Sequence, residues 1–210
     1  MRGVLISFEG IEGCGKSTQA NLLYEYLKTK AVPCVLVREP GGTKIGEEIR
    51  KILLDENNIK MNPKTELFLY LAARSQLLAE IIFPALKEGK VVICDRFSDS
   101  TLAYQGGGRN LGLEKVSQIN KYATDKLKPH LTILIDIPLV VSRERIAKEE
   151  KDRLEKENEE FHKRVRDTYL FLAKRAPKRI KVFDGTKNIE DLHLEIRTKV
   201  IEFLTKKGVI

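Results

Sequence analysis

Tryptophan is absent from the sequence, and cysteine and histidine occur three times each. No run of about 18 apolar residues is present, so we expect no membrane-spanning segment. The cysteines, Cys14, Cys34 and Cys94, are odd in number and lack C-x-x-C spacing, which argues against a disulfide framework and against a zinc site. The histidines are scattered, with no partner at metal-ligand spacing. These absences favour a protein of the reducing cytoplasm.

Size and charge indicate a globular domain with an anionic partner. At 210 residues, we expect one domain over residues 1–210. The net charge of +8 suits either nucleic acid or a polyanionic small molecule such as a nucleotide. Basic residues alternate with acidic ones, most densely from Glu144 to Arg164, which is typical of a solvated helix face. Of the two kinds of partner we favour the nucleotide.

Short apolar segments alternate along the chain with longer helical patterns. The segments that predict strands are Val4–Phe8, Cys34–Arg38, Val91–Cys94, Leu131–Asp136 and Ile180–Phe183. The segments that predict helices are Lys16–Lys30, Ile45–Leu54, Pro63–Lys87, Leu113–Leu127, Arg153–Arg175 and Ile189–Lys207. This alternation predicts an α/β fold in which helices cover both faces of a five-stranded parallel sheet. Ligands of such sheets bind beyond the carboxyl ends of the strands.

A glycine-rich motif lies between the first predicted strand and the first predicted helix. Gly10-Ile11-Glu12-Gly13-Cys14-Gly15-Lys16-Ser17 matches G-x-x-x-x-G-K-[ST]. Its glycines let backbone N–H groups surround a phosphate, which the amino terminus of the helix also attracts. Lys16 is then expected to reach the β- and γ-phosphates, and the Ser17 hydroxyl to ligate Mg²⁺. The motif predicts a P-loop nucleotide-binding protein of the three-layer P-loop NTPase fold.

Two classes of P-loop protein are disfavoured by what is missing. The N-K-x-D guanine motif of GTPases is absent, because Asn120-Lys121 continues with Tyr122-Ala123. Many ATPases end their second core strand with Asp-Glu, and the glutamate polarises water. Here that strand ends with Asp95-Arg96. A cation beside a metal-binding aspartate suits a second phosphorylated substrate better than a hydrolytic water.

Three segments together resemble the thymidylate kinase family, and they occur in its order and spacing. They are Phe8–Thr18, Arg38–Thr43 and Asp95–Gly106. The resemblance extends through Tyr70–Arg74 and Asp152–Glu155, and so covers nearly the whole chain. It implies phosphoryl transfer from ATP to dTMP, which gives ADP and dTDP for dTTP biosynthesis. It further implies Mg²⁺ as cofactor, a homodimer, and no nucleic-acid or membrane partner.

The resemblance implies a role for residues around the acceptor nucleotide. Arg50 and Arg96 correspond to arginines that hold the acceptor phosphate, and the planar fork of arginine suits phosphate oxygens. Tyr70 and Arg74 correspond to a ring that stacks on thymine and an arginine that reaches its O4. Tyrosine replaces the usual phenylalanine here, and Phe68 lies close enough to confuse the register. The remaining substrate-binding residues that the resemblance implies are Glu12 at the sugar 3′-OH, Tyr104 against a 2′-OH, Thr101 and Gln105 at the base edge, Ser100, and Glu39 near the metal.

The resemblance also implies the donor and metal sites. Asp95 is expected to hold Mg²⁺ with Ser17, and Asp184 and Thr186 belong to the loop beside adenine. The implied ATP-binding residues of the phosphate loop are Gly10, Ile11, Glu12, Gly13, Cys14, Gly15, Lys16, Ser17 and Thr18.

Additional cations are expected from a helical lid at about residues 142–155. The variable positions of the phosphate loop carry no basic residue, so the chain resembles the bacterial form of the family, whose arginines lie in the lid. The expected catalytic cations are Lys16, Arg96, Arg145, Lys148 and Arg153. Lysine at position 148 departs from the family's arginine and lacks its bidentate fork. Which lid cation acts, with Arg143 also a candidate, stays open.

Two alternatives stay open at the level of sequence. A kinase for another deoxynucleotide or a deoxynucleoside would share the phosphate loop, and for a neutral 5′-OH it would need a carboxylate base such as Glu39. A non-catalytic P-loop module that binds nucleic acid would account for the charge of +8.

Overall fold

The computed structural model describes residues 3–147 and 152–210. Five strands form one parallel sheet in the order β2-β3-β1-β4-β5. They are β1 (Val4–Glu9), β2 (Cys34–Arg38), β3 (Val91–Asp95), β4 (Leu131–Asp136) and β5 (Ile180–Asp184). Each predicted strand is present, to within one residue at its end. Every residue of β1 is buried, since helices cover both faces of the sheet.

Nine α-helices lie in the described part of the chain. They are α1 (Lys16–Thr29), α2 (Lys44–Leu54), α3 (Pro63–Leu77), α4 (Phe83–Lys87), α5 (Ser98–Thr101), α6 (Leu113–Ala123), α7 (Leu139–Ile146), α8 (Glu159–Arg175) and α9 (Ile189–Lys206). A π-helical turn, Leu78–Ile82, joins α3 to α4, and a second, Leu102–Gly108, continues α5. A 3₁₀ turn follows α2 at Glu56–Asn58.

Two helix boundaries differ from the prediction. The helix predicted from Arg153 begins at Glu159, because Asn158 caps it by accepting a hydrogen bond from the Phe161 N–H. Residues just after 152 form a turn instead, in which the Asp152 carboxylate accepts from the backbone N–H groups of two following residues. The helix predicted to end at Leu127 ends at Ala123, because the backbone of Asp125 and Lys126 is left-handed, with φ of 47° and 64°.

The segment after β3 was expected to be a loop but is helical, since it forms α5 and its π-helical continuation. The helix expected in the lid at about residues 142–155 is present in its first part as α7, which begins earlier, at Leu139. Both helices follow a strand of the sheet directly, β3 and β4 respectively, and so lie at the edge where its carboxyl ends meet. Side chains of the segment after β3 are therefore held on a helix, which fixes their positions more firmly.

The stretch Pro63–Lys87 has the length and composition of a membrane-spanning helix, with a mean hydropathy of 1.3 in its most apolar window. Among the described residues it is the one such stretch. It carries the buried charged residues Glu66 and Arg74, and its carboxyl-terminal half packs apolar side chains against β1, β2 and β3. A helix with ion pairs at one end and sheet contacts at the other is a core helix of a folded domain.

Candidate active site

A cleft opens at the carboxyl ends of β1, β2 and β3, with about 1000 Å³ of empty volume including the part open to solvent. It collects side chains that are far apart in the sequence. The predicted site residues that line it are Glu12, Lys16, Ser17, Glu39, Arg50, Tyr70, Arg74, Asp95, Arg96, Ser100, Thr101, Tyr104 and Gln105. Tyr70 lines this cleft while Phe68 is 56% exposed to solvent, which decides the register on α3.

The phosphate loop connects β1 to the first turn of α1. Gly10 has φ +145°, and a Cβ atom there would lie 2.4 Å from the carbonyl oxygen of Ile135 on β4. Gly15, with φ +90°, precedes the first residue of α1. Only glycine meets both demands, a left-handed backbone and close approach to a neighbouring strand. The Lys16 side chain is buried and donates to Glu12 Oε1 at 3.0 Å.

Arg96 reaches across the cleft to the same carboxylate. It follows β3 with a left-handed φ of +70°, and its N–H donates to the Phe8 carbonyl of β1. The Arg96 guanidinium donates to Glu12 Oε2 at 2.6 Å and lies 5.0 Å above the ring of Tyr104. A residue other than glycine held at positive φ is a costly conformation that functional sites often retain. Here it carries a cation to the phosphate loop.

Glu12 therefore joins two cations, one from each side of the cleft. Burial works against ionisation of its carboxyl, but the charges of Lys16 and Arg96 and their hydrogen bonds outweigh burial and hold the pKa of Glu12 well below its usual range. The ionised carboxylate marks a point at which both cations converge.

The wall beyond Arg96 is organised by Arg74, which is 2% exposed. Its Nε–H donates to Glu39 Oε2 at 2.6 Å, and its Nη2 forms an ion pair with the same oxygen. The other acceptors are Thr101 Oγ1, Asn120 Oδ1 and the Phe97 carbonyl. For Arg74 to reach O4 of a bound thymine, one of these hydrogen bonds has to be shared. Its position at the cleft fits the prediction, while its hydrogen bonds give it a structural role as well.

Two carboxylates at the ends of neighbouring strands keep a free oxygen. Glu39 Oε1 and Asp95 Oδ1 are buried without a hydrogen-bond partner among residues 3–147 and 152–210. Burial raises the pKa of Glu39, against the lowering effect of the Arg74 charge. Buried carboxylate oxygens without a partner, in a cleft that Ser17 also lines, are suitable ligands for a hard cation such as Mg²⁺.

Comparison with known proteins agrees with this geometry. The sequence model of the family "Thymidylate kinase" matches residues 8–196. A thymidylate kinase from Kosmotoga olearia is 49% identical over 98% of this chain and 99% of its own, and one from Thermosipho africanus is 50% identical over 96% and 99%. The crystal structure of thymidylate kinase from Ehrlichia chaffeensis superimposes with a TM-score of 0.78 at 36% identity, and covers 96% of this chain and 99% of that one. The chain belongs to the thymidylate kinase family.

Membership confirms the predicted P-loop fold and the predicted class of enzyme, an ATP-dependent nucleoside monophosphate kinase acting on dTMP. The two alternatives, a kinase with another acceptor and a non-catalytic nucleic-acid-binding module, are not favoured by these matches.

The cations of the predicted lid differ from one another in their surroundings. Arg145, on α7, donates to the Gly13 and Gly185 carbonyls at 3.1 and 2.9 Å, and so connects the phosphate loop to the loop after β5. Arg143 is exposed and pairs with Glu159. Lys148 lies outside the described residues. Among the lid arginines that are described, Arg145 is the one in contact with the phosphate loop.

Arg153 has a different placement from the one its expected role requires. It is 5% exposed, and its guanidinium donates to Glu66 Oε2 at 2.7 Å and to the Leu53 carbonyl at 2.9 Å. It does not line the cleft. In the structure Arg153 anchors the end of the predicted lid to α2 and α3.

The loop expected beside adenine follows β5. Asp184 accepts hydrogen bonds from the backbone N–H and the hydroxyl of Thr186, at 2.9 and 2.7 Å, and so closes a tight turn. These two hydrogen bonds hold the pKa of Asp184 below its usual value. A Cβ atom on Gly185, between them, would lie 2.6 and 2.7 Å from the Cγ2 atoms of Ile135 and Ile137, and 3.1 Å from the Cys14 carbonyl oxygen of the phosphate loop. The two predicted donor-side loops are thus in contact.

Two residues that support the site, Glu9 and Tyr169, were not among the residues predicted from the sequence. The Glu9 carboxylate is buried and accepts from the Phe97 N–H, the Ser100 hydroxyl and the Tyr169 hydroxyl. Burial, assisted by the charge of Asp99, raises the pKa of Glu9 to about 8. This cluster supports the backbone just after Arg96. The sequence signal that could have identified Glu9 is its position directly before Gly10, the first residue of the phosphate loop.

Proposed function

We propose that Lys16 and Arg96 bring the γ-phosphate of ATP and the phosphate of dTMP together for direct transfer. The observation that carries this assignment is their shared partner, since Lys16 Nζ and Arg96 Nη2 lie 3.0 and 2.6 Å from the two oxygens of Glu12. Lys16 belongs to the phosphate loop, and Arg96 directly follows β3. Two phosphates held by these cations therefore meet at the mouth of the loop.

The reaction requires positioning more than acid–base chemistry. The phosphate of dTMP is mostly a dianion near neutral pH, because its second pKa is about 6. Its oxygen is already a nucleophile, and catalysis consists of alignment and neutralisation of charge. Cations from both sides of the cleft supply that neutralisation, while Glu12, displaced from them by the phosphates, is left to accept a hydrogen bond from the 3′-OH.

The acceptor nucleotide would lie along the wall that runs from Arg96 to Tyr70. Arg50, whose Nη1 donates to the Pro40 carbonyl at 3.0 Å, and Arg96 would hold its phosphate. Tyr70 would stack on the base. The other residues assigned to the acceptor are Glu12, Glu39, Arg74, Ser100, Thr101, Tyr104 and Gln105, all of which line the cleft.

Mg²⁺ would be held by Ser17 and Asp95, with Glu39 beside them. Among the described residues there is no cluster of three or more His, Cys, Asp or Glu side chains able to hold a metal alone. Mg²⁺ commonly uses one or two carboxylates together with substrate phosphates and water, which the free oxygens of Asp95 and Glu39 fit. When bound, the ion supplies charge neutralisation between the β- and γ-phosphates.

On the donor side, the phosphate loop and the Asp184–Thr186 turn would hold ATP. Arg145 is the lid cation that we assign to the transferring phosphate, because it already contacts the phosphate loop. We assign Arg153 to anchoring the lid. The lid consists of residues about 142–155, and its closure would exclude water and so prevent hydrolysis of ATP.

We also propose a cytoplasmic homodimer. Support comes from exposed apolar side chains on the neighbouring elements α2 and α3 and the turn between them. These side chains are Ile45, Ile52, Ile59 and Phe68, which are 53%, 47%, 75% and 56% exposed. Exposed apolar side chains on helices that pack against each other, as α2 and α3 do, are typical of an interface between subunits.

The acceptor assignment is tested by ADP release from ATP and Mg²⁺ with dTMP, dUMP, dCMP and thymidine in parallel. We expect turnover with dTMP, and weaker turnover with dUMP, because one methyl group is worth roughly 1–3 kcal/mol in a pocket. Thymidine should be inactive, since it brings no phosphate to Arg96. Turnover with thymidine but not dTMP would contradict the proposal.

Tyr104→Ala is expected to weaken discrimination between dTMP and its ribonucleotide counterpart by about tenfold. The Tyr104 ring packs edge-on against Phe161 and Tyr169, at 6.1 and 6.4 Å between ring centroids. On our assignment this ring would fill the space that a 2′-hydroxyl needs. The measurement is the ratio of kcat/KM for the two nucleotides.

Tyr104→Phe is the matched control, because it keeps the ring and removes only the hydroxyl, which lies 3.2 Å from Arg96 Nη2. It should retain the discrimination. If alanine excludes the ribonucleotide as well as tyrosine does, the steric explanation is wrong.

A further inference from the structure

Glu66, on α3, is a wholly buried carboxylate outside the residues assigned above. It accepts hydrogen bonds from Gln105 Nε2 at 2.9 Å, from Arg109 at 2.9 Å and from Arg153 at 2.7 Å. Burial opposes its ionisation, but hydrogen bonds from Arg109 and Gln105 and the charges of both arginines outweigh burial and lower the pKa of Glu66. Glu66 is therefore ionised at neutral pH and can only accept hydrogen bonds.

This fixes which end of the Gln105 amide faces the cleft. A side-chain amide has a donor end, Nε2, and an acceptor end, Oε1. Because an ionised carboxylate has no proton to give, Gln105 must turn Nε2 towards Glu66. Its Oε1 has no hydrogen-bond partner among residues 3–147 and 152–210, and it is not among the enclosed polar atoms that lack one. Since Gln105 lines the cleft, this oxygen is open to a ligand.

The neighbouring hydroxyl has the complementary polarity. Thr101 Oγ1 accepts from Arg74 Nη1 at 2.7 Å, which leaves its own proton available as a donor. An acceptor at Gln105 beside a donor at Thr101 matches the N3–H and O4 of thymine or uracil. Cytosine carries the opposite pattern, with a lone pair at N3 and an amino group at C4.

We propose that Glu66 is a positioning residue that sets the hydrogen-bond polarity of the base site through Gln105, and so selects N3–H pyrimidines against cytosine. The inference rests on the proposed function in placing the acceptor base in this cleft. Glu66 lies behind Gln105 and does not line the cleft itself. Its effect is on which base is accepted rather than on phosphoryl transfer.

The test compares dUMP with dCMP, because these nucleotides differ only at N3 and C4. Glu66→Gln replaces the carboxylate by an amide, which can donate, so that Gln105 is free to turn its own nitrogen to the cleft. We expect the dUMP-to-dCMP ratio of kcat/KM to fall by about tenfold or more, because a site built to bind one polarity strongly rejects the other. The ratio should fall because kcat/KM decreases for dUMP and increases for dCMP.

Arg109→Lys is the matched control. Arg109 donates to both oxygens of Glu66, and among the described residues no hydrogen bond joins it to Gln105. The variant disturbs the same buried network and should lower the melting temperature without changing the ratio. An equal fall in both variants would show a general loss of packing, and an unchanged ratio in folded Glu66→Gln would overturn the proposal.

Two further measurements test the proposal independently of the Glu66→Gln kinetics. If Glu66→Gln does not fold, Gln105→Leu removes the amide itself, and retention of the full dUMP preference in that variant would overturn the proposal. Calorimetric binding of dUMP and dCMP to the unaltered protein without ATP separates the inference from the reaction. If the protein binds dUMP more tightly than dCMP but the kinetic assay shows no phosphorylation, only the proposed function is contradicted. If it binds the two nucleotides equally, the role of Glu66 is contradicted.

Discussion

Replacing Arg96 with alanine is expected to lower kcat for dTMP phosphorylation by about a thousandfold, which is typical of a lost cation at a transferring phosphate. Arg96 directly follows β3, and its side chain reaches Glu12 on the far side of the cleft, where the acceptor phosphate would lie. ATP binding should change little, because the phosphate loop and Lys16 remain. Steady-state kinetics with dTMP and calorimetric titration with ATP would measure the two effects separately.

Arg175→Ala provides the control for loss of an arginine. Arg175 is exposed at the end of α8 and lies over the ring of Phe171, 5.5 Å from its centroid. Its removal should leave kcat unchanged. Comparable activity of Arg96→Ala and the unaltered enzyme would exclude Arg96 from the reaction.

Asp95→Asn is expected to lower kcat by about a hundredfold and to raise the Mg²⁺ concentration needed for half-maximal rate. The substitution keeps the shape of the side chain and removes the charge that Asp95 would offer to the ion. Asp95 Oδ1 is buried without a partner in the described ranges, so the substitution breaks no observed hydrogen bond at that atom. Initial rates across a Mg²⁺ titration measure both effects.

Asp167→Asn, at an exposed position on α8, is the matched control and should follow the Mg²⁺ titration of the unaltered enzyme. A normal titration for Asp95→Asn would contradict the assignment of Asp95 to the metal.

Local sequence signals were sufficient to predict the sheet and the phosphate loop. The strands are short apolar runs covered on both faces, and β2 and β4 have the predicted bounds. The phosphate loop is itself local, because its glycines, lysine and serine are consecutive. The family resemblance then placed the acceptor residues on one cleft, as the structure has them.

The helical segment after Asp95 was not predictable in the same way. Gln105-Gly106-Gly107-Gly108 has a low intrinsic preference for helix. The segment is held by α8, since added Cβ atoms at Gly107 and Gly108 would meet Thr168 and Phe161 at 2.0 and 2.7 Å. Such close packing is a tertiary effect, which the spacing of residues in a sequence does not reveal.

The ion pairs of the lid region illustrate the same limit. A run of alternating charges does not show which arginine turns inward. Arg153 is buried because Glu66, 87 positions earlier, lies within 2.7 Å of it, and Arg145 remains exposed beside the phosphate loop. Only the folded chain brings these partners together, and so only the fold distinguishes an anchoring arginine from one near the phosphates.

The bridge made by Glu12 has a consequence for the enzyme at rest. Two positive groups aimed at one point repel each other, and without a counter-ion they would turn towards solvent. Glu12 keeps both in place before any nucleotide arrives. On the proposed assignment, entry of the phosphates would exchange one anion for another and leave the cations in place. Little reorganisation would then remain for the moment of transfer, because Glu12 already holds both cations at the point where the phosphates would meet.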